Sequence, residues 1–104
     1  MSSTFYEILQ TIGLPCAYGK FTDRSTPKAP PYLIYMGEGQ DQFKADNTYY
    51  WSRARYRVEY YFTKKDETTE ATIESVLLSH GFMYEKSDDI YIDGEGVFVI
   101  YYYV

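Results

Sequence analysis

The chain has 104 residues, enough for one hydrophobic core and too few for two. Aromatic residues make up 20% of it and hydrophobic residues 45%, which excludes a disordered chain. A net charge of −5 and a sequence pI near 4.7 make a general nucleic-acid-binding surface a poor expectation.

The first predicted element is a short helix over residues 4–12. Thr4 and Glu7 form an S/T-x-x-E capping box, and Phe5, Ile8, Leu9 and Ile12 recur at helical spacing as one apolar stripe. Gly13 stands where a left-handed residue ends a helix, and Pro15 forbids continuation. Cys16 to Phe21 reads as a first strand, with Cys16, Tyr18 and Lys20 on one face. Phe21 to Pro31 holds Pro27, Pro30 and Pro31 among Thr, Asp and Ser, and reads as a loop. Tyr32 to Met36 is a second, apolar strand. Gly37-Glu38-Gly39-Gln40-Asp41-Gln42 opens another loop that closes near Asp46-Asn47, with Phe43 and Ala45 leaving open a short strand or a mobile arm. Loops of this length in a small domain point to contact surfaces.

The stretch from Thr48 to Thr63, TYYWSRARYRVEYYFT, organises the rest. It has no Gly or Pro and holds five of the fourteen tyrosines, so it reads as one long strand. Its even positions, including Tyr56, Val58, Tyr60 and Phe62, make an apolar face, and its odd positions from Arg53 to Glu59 a charged one. At ~3.3 Å per residue it spans roughly 50 Å, too long for one small helical layer to cover. Part of it must project into water or meet another chain.

Asp66 then caps a second helix, with Glu67 and Glu70 complementing its dipole. Ile73, Val76, Leu77 and His80 give the amphipathic spacing, and Gly81 followed by Phe82 ends the helix. Tyr84 to Lys86 and Ile90 to Ile92 form a strand interrupted near Asp88. Asp93-Gly94-Glu95-Gly96 is a hairpin turn, and Val97 to Val104 is a last strand, apolar on both faces and so central in a sheet or against a partner. The elements together predict a single α+β domain: a mixed, mainly antiparallel sheet with two helices on one face, in the order α-β-β-β-α-β-β.

Candidate chemistry is sparse. His80 sits in the last helical turn, where a protonated imidazole suits the dipole, and no motif places a nucleophile beside it. Cys16, the one cysteine, allows no intramolecular disulfide and reads as a small core residue. Asp88, Asp89, Asp93 and Glu95 lack the spacing of a Ca²⁺ loop and read as a solvated acidic hairpin. No catalytic residue, metal ligand or cofactor is expected, and the chain is not read as an enzyme. The N-terminus MSSTFYEILQ lacks the basic and apolar regions of a signal peptide. The longest apolar run is eight residues, so no membrane partner is expected. Arg53, Arg55 and Arg57 form a like-charged row that needs acidic neighbours in the sheet, another subunit, or a phosphate backbone. Residues 1–58 carry seven basic and five acidic side chains, and residues 59–104 three and ten. That split suits copies meeting head to tail, with an accident of sequence as the other reading.

The run Arg57-Val58-Glu59-Tyr60-Tyr61, then Thr63-Lys64-Lys65-Asp66, a helix, and Gly81-Phe82-Met83-Tyr84-Glu85-Lys86-Ser87 resembles a family of small phage proteins. Tyr32-Leu33-Ile34-Tyr35, Ala45 to Tyr50 and the closing strand Val97 to Val104 fit the same pattern, which covers roughly residues 30–104. These are the tail terminator, or tail-completion, head–tail joining proteins of long-tailed phages and prophages. The departure is at Asp88-Asp89 and Asp93-Gly94-Glu95, where the family has a more compact connection.

The resemblance implies a structural virion protein of the tail and neck, assembled in the bacterial host cytoplasm. It would form a homohexameric ring that caps the tail tube, against the major tail tube protein on one side and the head-side connector or stopper on the other. DNA would only pass through the lumen. Phe43, Trp51, Arg53, Arg55, Arg57, Tyr101 and Tyr103 are the expected interface residues. The competing readings are a head-completion or stopper protein of the neck, and a small nucleic-acid-binding regulator whose oligonucleotide affinity would fall steeply with salt.

Overall fold

A computed structural model describes residues 4–20, 30–45 and 49–104, with side chains over 4–20, 30–37 and 55–104. The elements are α1 (Phe5–Gln10), β1 (Cys16–Tyr18), β2 (Tyr32–Ala45), β3 (Tyr49–Phe62), α2 (Glu67–Ser79), β4 (Glu85–Lys86), β5 (Ile90–Ile92) and β6 (Val97–Tyr103). The expected α+β fold is what forms. One mixed sheet runs β1-β2-β3-β6-β4, with β5 also on β6, and only β1–β2 is parallel.

Local chemistry sets the helix ends. Thr4 Oγ1 accepts from the Glu7 amide at 3.2 Å, while Glu7 Oε1 accepts from the Thr4 amide at 3.3 Å, closing the capping box. Asp66 Oδ1 accepts from the amides of Thr68 and Thr69 and starts α2. At the other end Gly81 takes φ +83°, its amide bonds to Leu78 O, and the Phe82 amide bonds to Leu77 O. That is a Schellman termination, and it turns Phe82 back onto the core.

The core lies on one face of the sheet. Leu33 from β2, Val58, Tyr60 and Phe62 from β3, and Ile100 and Tyr102 from β6 pack against Phe5 and Leu9 of α1 and Ile73 and Leu77 of α2. Both helices therefore cover the even face of β3, as the alternation requires. Phe5 fastens α1 to the sheet by stacking on Tyr56 at 4.1 Å and meeting Phe82 edge-on at 5.1 Å. β6 is central, with β3 on one side and β4 and β5 on the other, which accounts for its two apolar faces. Between those two short strands Ser87 supplies the missing rung. Its amide donates to Tyr101 O, and its Oγ accepts from the Tyr101 amide, both at 2.9 Å.

The expected loop from Gly37 to Asn47 is corrected. β2 continues to Ala45 and pairs with β3 along nearly its whole length. The pairing shifts between Gly37↔Tyr56 and Gln40↔Ala54, three steps on β2 against two on β3. That is one extra residue, a β-bulge at Glu38-Gly39. The strand persists through residues of low β preference because β3 templates it. The bulge also changes the parity of β2, so that Asp41 stands opposite Arg53 and Phe43 opposite Trp51.

β3 pairs with β6 only from Arg57 to Phe62, and a reciprocal pair of bonds between Tyr56 and Val104 closes that ladder. Beyond it, residues 38–45 and 49–55 pair only with each other among the described residues, as a two-stranded ribbon. The chain measures 51 × 28 × 24 Å, with a radius of gyration of 15.3 Å, against ~13 Å expected for a compact domain of this length. The over-long strand extends past the part of the sheet that the helices cover, as one of the two expectations had it.

Candidate functional site

The sheet face away from the helices carries Tyr32, Ile34 and Met36 from β2, Arg57, Glu59 and Tyr61 from β3, and Tyr101 and Tyr103 from β6. The register makes them neighbours: Tyr32↔Tyr61, Met36↔Arg57, Arg57↔Tyr103 and Glu59↔Tyr101. Glu59 is the hub. Its carboxylate is nearly buried and accepts from Arg57 Nε at 3.0 Å and from the Tyr61 hydroxyl at 2.6 Å. Arg57 also reaches Met36 Sδ at 3.3 Å and lies 5.6 Å from the centre of the Tyr101 ring. Tyr61 stacks on Tyr32 at 5.0 Å, and burial, then its bond to Glu59, pushes its phenol above the usual range, so it stays a donor. The result is an aromatic surface with one internally neutralised ion pair, and among the described residues no helix covers it.

Of the expected interface residues, this face gathers Arg57, Tyr101 and Tyr103. Tyr101 and Tyr103 lie 6.2 Å apart, and Tyr103 is 37% exposed. Arg55 is exposed at the base of the ribbon. Phe43, Trp51 and Arg53 fall on the ribbon itself, where the backbone register is described and their side chains lie outside the described residues. The arginine row therefore spans two places. Its inner member is satisfied within the sheet by Glu59, and Arg53 faces Asp41 across the ribbon. In-sheet pairing is the expectation that holds for Arg57.

The remaining candidates take structural positions. Cys16 packs against the core, and burial pushes its thiol up to about 11, far from a reactive thiolate. His80 caps α2, with Nδ1 2.9 Å from Val76 O. Asp89 is tied to Lys65 at 3.0 Å, while Asp88, Asp93 and Glu95 are exposed around β5 and its turn. Among the described residues no group of three or more His, Cys, Asp or Glu side chains could hold a metal ion, and no helix is long and apolar enough to cross a membrane.

A second polar cluster lies on the helical side. Glu70, with its side chain only 4% exposed, contacts Lys65 and Lys86 at 2.8 and 2.9 Å. Its Oε2 has no well-directed hydrogen bond, so the Lys65 contact is an ion pair by proximity alone. Glu74 accepts from the hydroxyls of Tyr102 and Tyr84 at 2.9 and 3.1 Å and pairs with Lys86 at 2.8 Å. The signal in the sequence is that Glu70 and Glu74 share the stripe of Ile73 and Leu77, so charge on that stripe must find partners.

Burial works to raise the Glu74 carboxyl, but its bonds from Lys86 and Tyr102 outweigh that and hold it below the usual range. A carboxylate with a lowered folded-state value contributes stability that is complete above its unfolded value and lost as pH falls through the folded one. Glu74→Gln is therefore expected to be about 1–2 kcal/mol less stable at neutral pH. Its urea midpoint should also fall less steeply than the parent's below about pH 4.5. Parallel acid limbs for the two proteins would show that Glu74 is not part of the acid response.

No family model, no curated protein and no solved structure matches the chain.

Proposed function

We propose that the chain is a structural subunit that closes into a ring with copies of itself and ends a phage tail tube, as a tail terminator does. The observation that supports this most is the ribbon of residues 38–45 and 49–55, which continues beyond the ladder that β3 makes with β6. A two-stranded hairpin is at best marginally stable alone in water, so it suits a surface finished by another chain. The tyrosine face opposite the helices is a second such surface, apolar enough to pack and already neutral in charge. The sequence resemblance supplies the rest: six copies, the tube protein below, the head-side connector above, and DNA passing through the lumen. The role asks for self-association and stacking contacts and needs no reacting group.

The test is addition of the purified protein to tail tubes from the particle that encodes it, viewed by electron microscopy. The expected result is one ring at one end of each tube and arrest of tube growth. The double variant Tyr101→Ser, Tyr103→Ser is expected to fold, with its thermal midpoint lowered by no more than about 5 °C, and to leave the tubes uncapped. Tubes left bare by the parent protein would sink the reading. Rings formed normally by the variant would remove the tyrosine face from it.

A further inference from the structure

Peptide groups alternate in direction along a strand, so the register also says which of them the ribbon leaves without a rung. Tyr56 exchanges both of its backbone bonds with Val104, at 3.2 and 3.0 Å. Its amide and carbonyl therefore point away from β2, and those of Ala54, Ser52 and Tyr50 do the same in turn. β6 goes no further along β3, and among the described residues no strand meets these three. On β2 the amide of Gly37, opposite Tyr56, is likewise turned outward, where it donates to the Tyr18 hydroxyl at 3.4 Å. The bulge moves the parity by one, so that beyond it Gln40, Gln42 and Lys44, opposite Ala54, Ser52 and Tyr50, are the outward residues. β1 reaches only as far as Tyr35, and among the described residues this edge has no strand on it either. The ribbon thus has two open edges of equal length, one on a strand that runs away from the sheet and one on a strand that returns to it.

We propose that the outer edge of β2 in one copy pairs antiparallel with the outer edge of β3 in the next, so that the ribbons of the ring join into one closed sheet. This rests on the ring reading and names the contact that closes the ring. The main chain makes the contact: the outward amides and carbonyls of Gln40, Gln42 and Lys44 meet those of Tyr50, Ser52 and Ala54 of the neighbour. The edges choose the occupant. A foreign peptide laid on one of them would cover it and expose a new edge of its own. A two-fold pairing of β2 with β2 would leave both β3 edges open. Unlike pairing repeated round a closed ring leaves no ribbon edge unpaired, and because β2 and β3 run in opposite directions every new ladder is antiparallel, as the one inside the ribbon is. A ribbon that is marginal alone becomes part of a sheet of many strands.

The test removes one outward amide from each edge. Gln42→Pro acts on β2 and Ser52→Pro on β3, and neither takes a bond from the ladder between them, so both should fold by circular dichroism. Each proline is expected to lower the fraction of capped tubes at least about tenfold by electron microscopy, while Gln42→Ala and Ser52→Ala, which keep the amide, cap as the parent does. Hydrogen exchange read by mass spectrometry needs no variant. The amides of Gln40, Gln42, Lys44, Tyr50, Ser52 and Ala54 are expected to exchange at least about tenfold more slowly on capped tubes than in the free protein, and this reading decides alone if a proline unfolds the chain. Capping by both proline variants, or unchanged exchange, overturns the contact. Loss with only one proline overturns it too, because a foreign strand or a two-fold β2 pair needs a single edge. Loss with the alanines would put the contact in side chains and overturn it as well. In each of these cases the parent still caps tubes and the ring reading stands, whereas a parent that leaves tubes bare removes both.

Discussion

Replacing residues 38–55 with the two-residue turn Asn-Gly is expected to yield a folded monomer that no longer caps tubes. Gly37 and Tyr56 face each other across the ladder, so an Asn-Gly turn between them closes a two-residue hairpin of the favoured type. Among the described side chains, those of the core begin at Tyr56 on β3 and end at Tyr35 on β2. The reciprocal bonds between Tyr56 and Val104 also survive, so the sheet keeps its terminal rung. The thermal midpoint should move by only a few degrees, because a two-stranded ribbon is marginally stable by itself and the shorter loop costs less to close. Assembly should fall below detection by sedimentation and electron microscopy. A shortened chain that unfolds would place the ribbon inside the cooperative unit, and one that still caps tubes would make it dispensable.

Leu77→Ala carries the largest expected loss of stability. Leu77 is fully buried on α2 within the cluster that joins both helices to the sheet. Truncation removes its transfer free energy and leaves a cavity, at a cost of about 3–5 kcal/mol. Domains of this size have about 5–15 kcal/mol in all, so the midpoint should fall by roughly 15–30 °C. Leu78→Ala is the control: the next residue on the same helix is half exposed and should cost well under about 1 kcal/mol. Equilibrium urea unfolding of the pair reads the difference directly. Similar values for both would mean that α2 is not docked as its burial pattern says.

Much of the fold was legible because local chemistry and hydrophobic period agreed. Thr4 and Glu7, Asp66, Gly81 with Phe82, and the turn at Gly94 each act within a few residues of chain, and all take the expected roles. The alternation in β3 named its core face before any partner was known. What escaped was set by pairing over distance. Gly37-Glu38-Gly39-Gln40 looks like a loop because its strand character comes from β3, and the bulge that shifts the register of Asp41 and Phe43 leaves no mark a single strand can show. Ser87 as a substitute rung, and Tyr102 reaching Glu74 across 28 residues, likewise depend on the folded sheet. Within the candidate surface, Arg57, Glu59 and Tyr61 were readable as neighbours two apart on one face. Tyr32 and Met36, which complete that face, needed the register of β2.

The split edge beside β6 bears on how the free protein keeps. β6 is the most apolar strand, and its outer flank meets only a two-residue and a three-residue strand, kinked apart at Ser87-Asp88-Asp89. A stray chain approaching from that side finds no straight ladder long enough to nucleate on, and it meets carboxylates first. The short, kinked and acidic edge thereby disfavours fibre growth through the stickiest part of the molecule.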